Sequence, residues 1–177
     1  DLSSQALAGA LSHSWTGSDI GERAGESLLC SHDLTGDGIA DLLIGAPNND
    51  EVASSAGRTY LVFSGSPSTK SFDLEDSDRF FNGESSNDLS GRQLGPAGDV
   101  DKDGYADFMI GATGNDRSGS NAGAVYLISG GDLSPFATIP LDNADWILVG
   151  EATGDRAAMD LDSAGDVDGD GRGDIVV

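Results

Sequence analysis

Apolar residues occur along this chain in short runs, set apart by clusters of Gly, Asn, Asp and Ser. Leu42-Leu43-Ile44-Gly45-Ala46 and Phe108-Met109-Ile110-Gly111-Ala112 are apolar without alternation, as expected of a central strand covered on both faces. Around the first run the pattern predicts strands from Glu26 to His32, Ile39 to Ala46 and Arg58 to Phe63, with a weaker fourth around Ser71 to Leu74. Pro47-Asn48-Asn49-Asp50 and Thr113-Gly114-Asn115-Asp116 mark turns after the second strands. No segment sustains a helical period. The reading is all-β.

The same order of elements recurs. Asp33-Leu34-Thr35-Gly36-Asp37-Gly38-Ile39-Ala40-Asp41 superimposes on Asp99-Val100-Asp101-Lys102-Asp103-Gly104-Tyr105-Ala106-Asp107 and on Asp166-Val167-Asp168-Gly169-Asp170-Gly171-Arg172-Gly173-Asp174. Their first aspartates are spaced by 66 residues (33 to 99) and then 67 (99 to 166). A glycine stands 16 residues ahead of each loop, at Gly17, Gly83 and Gly150, and Ala56-Gly57-Arg58-Thr59-Tyr60 returns as Ala122-Gly123-Ala124-Val125-Tyr126. Four short antiparallel strands per unit of this length fit the blade of a β-propeller, whose radial repetition protects sheet edges. A parallel β-helix needs much shorter repeats.

On this division residues 1–16 end a preceding blade, 17–82 and 83–149 are whole repeats, and 150–177 open a third. Asp1-Leu2-Ser3 accordingly resembles Asp132-Leu133-Ser134, which follows a third strand. The chain thus reads as about two and a half blades. Propellers close with about 4–8, so the remaining blades of the same ring are its first expected partner.

Charge narrows the partners further. The 177 residues include 31 Asp+Glu against 9 Lys+Arg, a formal net charge of −22. No basic stripe exists to displace counterions from phosphates, so nucleic acid is excluded as a partner. No apolar run approaches the roughly 20 residues of a membrane helix, so direct membrane insertion is not expected. The opening Asp1-Leu2-Ser3-Ser4 lacks the features of a signal peptide. One cysteine, Cys30, allows neither an internal disulfide nor a Cys-based zinc site, and reads as a buried small apolar residue.

The repeated loops carry the chemistry. Carboxylates at loop positions 1, 3, 5 and 9 converge on one point, glycine at 6 permits the tight turn, and the backbone carbonyl at 7 adds an oxygen. The candidate ligands are Asp33, Thr35, Asp37, Ile39 and Asp41; Asp99, Asp101, Asp103, Tyr105 and Asp107; and Asp166, Asp168, Asp170, Arg172 and Asp174, with Ile39, Tyr105 and Arg172 acting through their carbonyls. Oxygen donors without His or Cys favour a hard cation, and three or four carboxylates in a flexible loop favour Ca2+ over Mg2+, one per loop and up to three. Thr35 leaves the first loop one carboxylate short, so weaker binding is expected there. An EF-hand would place Glu at position 12, where this chain has Ile44, Ile110 and Val177. A solvated acidic turn without an ion would leave the carboxylates repelling one another with nothing to offset the cost. Sites of this kind bind with constants of roughly 0.1–1 mM, which suits an exported protein.

The Asp-x-Asp/Thr-x-Asp-Gly-x-x-Asp loops, Gly45-Ala46-Pro47 and the Ala-Gly-x-x-Tyr strands together resemble FG-GAP repeats. Those repeats build the β-propeller at the amino end of integrin α-chains and occur in many bacterial exported proteins. The resemblance runs from about Gly17 to Val177. It departs at the Phe-Gly element, which appears as Ala24-Gly25, Ser90-Gly91 and Ala157-Ala158, and at Thr113, which replaces the proline. These departures suggest a divergent member of the bacterial exported type, present as a fragment, rather than an integrin itself. The resemblance implies a seven-bladed propeller with calcium in the loops of one face. Ligands would be held on the opposite face, here by residues 17–24, 83–90 and 150–157 with 47–55 and 113–121.

The function so implied is adhesion or recognition of protein or glycan ligands at the cell surface or outside it. The alternatives are the propeller of an extracellular polysaccharide-cleaving enzyme or phospholipase, or a structural spacer. No catalytic residue stands out. His13 and His32 lack a repeat-wide position, and a general base needs a positioned partner. Arg172-Gly173-Asp174 spells an integrin-recognised tripeptide, but Asp174 is a loop ligand that leads into a strand. Tyr60 and Tyr126, constant in the third strand, read as blade packing, as do Trp15, Trp146 and Phe80-Phe81 near the fourth strands.

Overall fold

Each continuous apolar run becomes the middle of a sheet. The computed structural model describes residues 14–17, 19–30, 32–63, 71–131, 133 and 137–177; His13, residues 1–12 and Asp132 lie outside them. Ser14–Thr16 forms β1, and the first blade follows with β2 (Ser27–Leu29), β3 (Leu42–Ala46) and β4 (Arg58–Val62). After β5 (Ser71–Asp73), β6 (Arg79–Asn82) completes that blade. The second blade is β7 (Ser90–Gly98), β8 (Asp107–Ala112), β9 (Ala124–Ile128) and, after β10 (Ala137–Pro140), β11 (Trp146–Val149). The third contributes β12 (Asp162–Gly165) and β13 (Asp174–Val176). The fold is all-β, built of β-propeller blades.

Strand order is β10-β6-β4-β3-β2 in one sheet and β11-β9-β8-β7 in the other. Within a blade every pairing is antiparallel, as in Ile44↔Tyr60 and Ile110↔Tyr126. The fourth strand, however, is not the segment around Ser71 to Leu74. That segment supplies β5, which pairs in parallel with β1, Trp15 opposite Phe72. β10 does the same to β6, Thr138 opposite Phe80. A 3-10 turn then reverses the chain, Leu74–Asp76 in one blade and Leu141–Asn143 in the next. Asp73 caps the first turn by accepting from the Glu75 N–H at 3.0 Å. The buried Leu74 and Leu141 anchor these turns. A three-residue strand followed by a single turn leaves no periodicity to separate it from one longer strand.

The core lies between blades. Leu43, Leu61 and Phe81 of the first blade meet Phe108, Ile110, Tyr126 and Leu141 of the second. The Phe81 and Phe108 rings cross edge to face, 5.4 Å between centroids. A second cluster joins Met109, Val125 and Leu127 to Ala158 and Leu161 of the third blade. A third joins Ile44, Tyr60 and Leu74 to Trp15. β3 and β8 therefore bury both faces, Leu43 and Ile44 pointing into different clusters, which is why they show no alternation. Gly45 is required by this closeness, since a Cβ there would lie 1.9 Å from the Gly91 carbonyl oxygen.

Two side chains differ from expectation. Cys30 is exposed. Strand alternation turns Leu29 into the inter-blade cluster and leaves Cys30 on the side of Leu28, which is 61% exposed. Trp146 is also exposed, on the outermost strand of its sheet. Among the described residues no helix is long and apolar enough to cross a membrane.

Candidate metal centres and the opposite loop face

The three acidic loops are hairpin connections, joining β2 to β3, β7 to β8 and β12 to β13 at the same end of each blade. Their carboxylates first satisfy the backbone. At position 1, Asp33 accepts from the N–H groups of Gly36 and Gly38 at 2.6 and 2.7 Å. Asp99 accepts from Lys102 and Gly104 at 2.7 and 3.1 Å, and Asp166 from Gly169 and Gly171 at 2.7 and 2.9 Å. Partial desolvation raises the Asp33 carboxyl, but its backbone donors together outweigh that and hold it below the usual range. Position 9 reaches back to position 2: Asp41 accepts from Leu34, Asp107 from Val100 and Asp174 from Val167, at 2.9, 2.7 and 2.8 Å. Burial pushes the Asp107 carboxyl up, opposed by the Gly130 and Val100 N–H groups and reinforced by the charges of Asp101 and Asp103.

Position 3 decides which loops gather. Carboxylate oxygens of Asp99, Asp101 and Asp107 lie within 4.8 Å of one another, and so do those of Asp166, Asp168 and Asp174. Asp33, Asp37 and Asp41 form no such group among the described residues. There Thr35 stands at position 3, its Oγ1 buried without a hydrogen-bond partner. Asp37, Asp103 and Asp170, at position 5, each accept the N–H of position 7, from Ile39, Tyr105 and Arg172 at 2.8, 2.8 and 2.7 Å. These aspartates stand outside the two triads. Oxygen-only triads of like charge fit a hard divalent cation better than zinc or copper.

Neighbouring loops touch. Lys102 Nζ donates to the Asp170 carbonyl, Arg172 Nη1 donates to the Val100 carbonyl at 2.7 Å, and the Gly173 N–H to the Asp99 carbonyl at 2.8 Å. The Arg172-Gly173-Asp174 tripeptide is thereby tied into the second loop. Tyr105 packs over Gly36, where a Cβ would come within 2.2 Å of its ring.

At the other end of the blades, polar groups missed by sequence reasoning are buried together. Glu22 accepts from the Tyr60 hydroxyl at 2.7 Å and from Asn49 Nδ2 at 2.9 Å. In the second blade Asn115 Nδ2 donates to Asp88 at 2.9 Å, while the Tyr126 hydroxyl donates to Glu84 at 2.8 Å. Arg117 grips the same Glu84 through Nε and Nη2 at 3.0 and 2.9 Å. Burial and the bond to Glu84 push the Tyr126 phenol far above its ordinary value. The available signal was Asn49 and Asn115, each 11 residues before a third-strand tyrosine. Beside Glu22, a cavity of about 320 Å³ is lined by Asp19, Ile20, Asn48, Asp50 and Glu51. Ile20 is fully exposed at its rim.

The profile of the FG-GAP repeat matches residues 24–62 and 90–128. Each matched segment runs from the end of a 17–24 type loop through the acidic loop to the third strand. The chain is thus built of FG-GAP repeats. It is 38% identical to integrin alpha-PS2 of Drosophila melanogaster over 127 residues, 69% of this chain and 9% of that protein. It is 29% identical to integrin alpha-4 of Xenopus laevis over 154 residues, covering 84% and 14% respectively. With integrin alpha-IIb of Mus musculus it shares 28% over 170 residues, 93% of this chain and 16% of that one. The chain therefore spans less than a fifth of the length of each of these relatives.

Proposed function

We propose that this chain is a calcium-binding segment of a β-propeller that serves adhesion or recognition at the cell surface or outside the cell. The observation that carries the reading is the pair of carboxylate triads, Asp99–Asp101–Asp107 and Asp166–Asp168–Asp174, in register on consecutive blades of integrin-α-like repeats. One cation per loop would be held by positions 1, 3, 5 and 9 with the carbonyl of position 7, and Thr35 Oγ1 would substitute for a carboxylate in the first loop. The ion supplies positive charge that relieves repulsion among the carboxylates. The protein's part is to present them, already held by backbone N–H groups, at the mouth of each hairpin. Full occupancy would remove six of the 22 net negative charges.

Calcium binding at one end leaves the loops at the other end free to meet a ligand. The integrin α relatives favour a protein ligand over a glycan, with binding rather than catalysis as the activity. Further blades of the same ring would cover the faces left open here.

Calorimetric titration with calcium tests the metal reading. Two sites with constants of roughly 0.1–1 mM and a weaker third are expected, with one strong site lost in Asp101→Asn and the other in Asp168→Asn. A flat titration would refute the reading.

A further inference from the structure

Where the second and third blades meet, on the face away from the acidic loops, a cavity of about 100 Å³ is lined by Arg92, Arg156, Thr113, Asn121 and Met159. No carboxylate lines it, in a protein of net charge −22. We propose that this cavity is a docking site for the carboxylate of an acidic side chain, Asp or Glu, on a protein ligand. The proposal rests on the recognition reading above and names the partner's chemistry.

The preceding junction shows how a carboxylate sits between two arginines of adjoining blades. Glu26, Arg92 and Met159 occupy one repeat position, and Arg23, Leu89 and Arg156 another. Between the first and second blades the Glu26 carboxylate lies between two arginines, 3.1 Å from Arg23 Nη1 and 3.7 Å from Arg92 Nε. One junction further on, the glutamate's position is taken by Arg92 and then Met159. There Arg92 stands where Glu26 stood and Arg156 where Leu89 stood, so two guanidinium groups from different blades line a cavity that no carboxylate lines. Arg92 meets Glu26 only at ion-pair distance, beyond a hydrogen bond. Arg156 has no ion pair among the described residues, and its backbone N–H is bound to the Asn121 carbonyl at 3.1 Å.

The walls are fixed before any ligand arrives. Ala157 N–H donates to the Ala122 carbonyl, Gly154 N–H to Ser120 and Gly114 N–H to Asp88, at 2.8, 2.9 and 3.0 Å. A site so pinned spends little on ordering its loops. The cavity is well below the ~300–1,000 Å³ of pockets that enclose a whole small molecule, so it suits the tip of one side chain and not a sugar ring. At physiological salt, charges more than ~8 Å away are largely screened, so the two arginines that line the cavity weigh more there than the net charge of the whole chain.

The test is an NMR titration of the calcium-loaded chain, following the arginine Nε–Hε signals. The probes are the capped peptide Gly-Asp-Gly, its Gly-Asn-Gly analogue and glucuronic acid. The acidic peptide is expected to shift the Arg92 and Arg156 signals, the Asn peptide to leave them in place, and glucuronic acid to act more weakly. Arg156→Gln or Arg92→Gln should weaken the acidic peptide about tenfold, the loss of one charged hydrogen bond. Silence with all three probes, equal shifts from the Asn peptide, or a response to glucuronic acid as strong as to the peptide would each overturn the proposal. A calcium-dependent melt on the same sample separates these failures from failure of the propeller reading itself.

Discussion

The hydroxyl of Tyr60 donates to the carboxylate of Glu22 at 2.7 Å, both residues almost wholly buried, across 38 positions of sequence. This bond fastens the loop entering the first blade to its third strand. Tyr60→Phe should therefore destabilise the fold by about 1–3 kcal/mol, the range for leaving a buried charged acceptor short of a donor. Tyr126→Phe should cost less, because Glu84 keeps its two bonds from Arg117. Urea unfolding of both variants measures the difference. Equal losses would mean that the tyrosines act only by packing.

On the proposed calcium reading, Thr35 sets the rank of the acidic loops. Thr35→Asp restores the fourth carboxylate and should bring the first loop to the affinity of the other two. At calcium tenfold above its dissociation constant, each filled site adds about 1.4 kcal/mol to stability. The Thr35→Asp protein should gain that increment at a calcium level where the parent's first loop stays mostly empty. Melting midpoints across a calcium series read this out, and coincident curves would remove Thr35 from the site.

Phe81 carries the junction between the first two blades. With its ring buried edge to face on Phe108, Phe81→Ala should cost about 3–5 kcal/mol. Phe80→Ala, one residue away and half-buried over Tyr60, should cost less. Denaturant midpoints for the two variants are the measurement.

Asp88 makes stability depend on pH. Burial raises its carboxyl above the ordinary value of 3.8, opposed by bonds from Asn115 and the Ser85 N–H and reinforced by the charges of Glu84 and Asp116. The folded state then holds this proton more tightly than the unfolded state, so stability from this group falls as pH rises from the unfolded value through the folded one. Asp88→Asn keeps an oxygen to accept from Asn115 and Ser85. The variant should be as stable as the parent or more so at pH 7, and lose its advantage near pH 4. An advantage that grew on acidification would reverse the assignment.

Much of this architecture was legible in sequence, for identifiable reasons. Strands β3 and β8 bury both faces, and unbroken apolar runs report that directly. The acidic loops repeat in register, which located the hairpin ends before any geometry. What escaped depends on contacts between blades. β5 and β10 look like ordinary fourth strands until the neighbouring sheet is present to accept them. Cys30 looks apolar and small, yet its exposure is set by which way Leu29 turns. The gathering of positions 1, 3 and 9, with position 5 turned to its own backbone, depends on hydrogen bonds that spacing does not encode. The Glu22–Tyr60–Asn49 cluster draws on three separate segments, and only the recurrence of Asn49 and Asn115 hinted at it.

The placement of β10 has a consequence for how such chains can be cut and recombined. Residues 137–140 follow the second matched repeat segment, residues 90–128, but extend the sheet of the first blade. Strand order along the chain and strand order in the sheets are therefore out of phase by one strand. A graft of residues 83–149 into another propeller would arrive with a strand seeking a host for its edge, and would leave the donor's first blade stripped of its outermost ladder. Blades of this kind are interlocked in the manner of overlapping tiles, so duplication, deletion or transplantation succeeds only where the neighbour on the upstream side can receive the overlap.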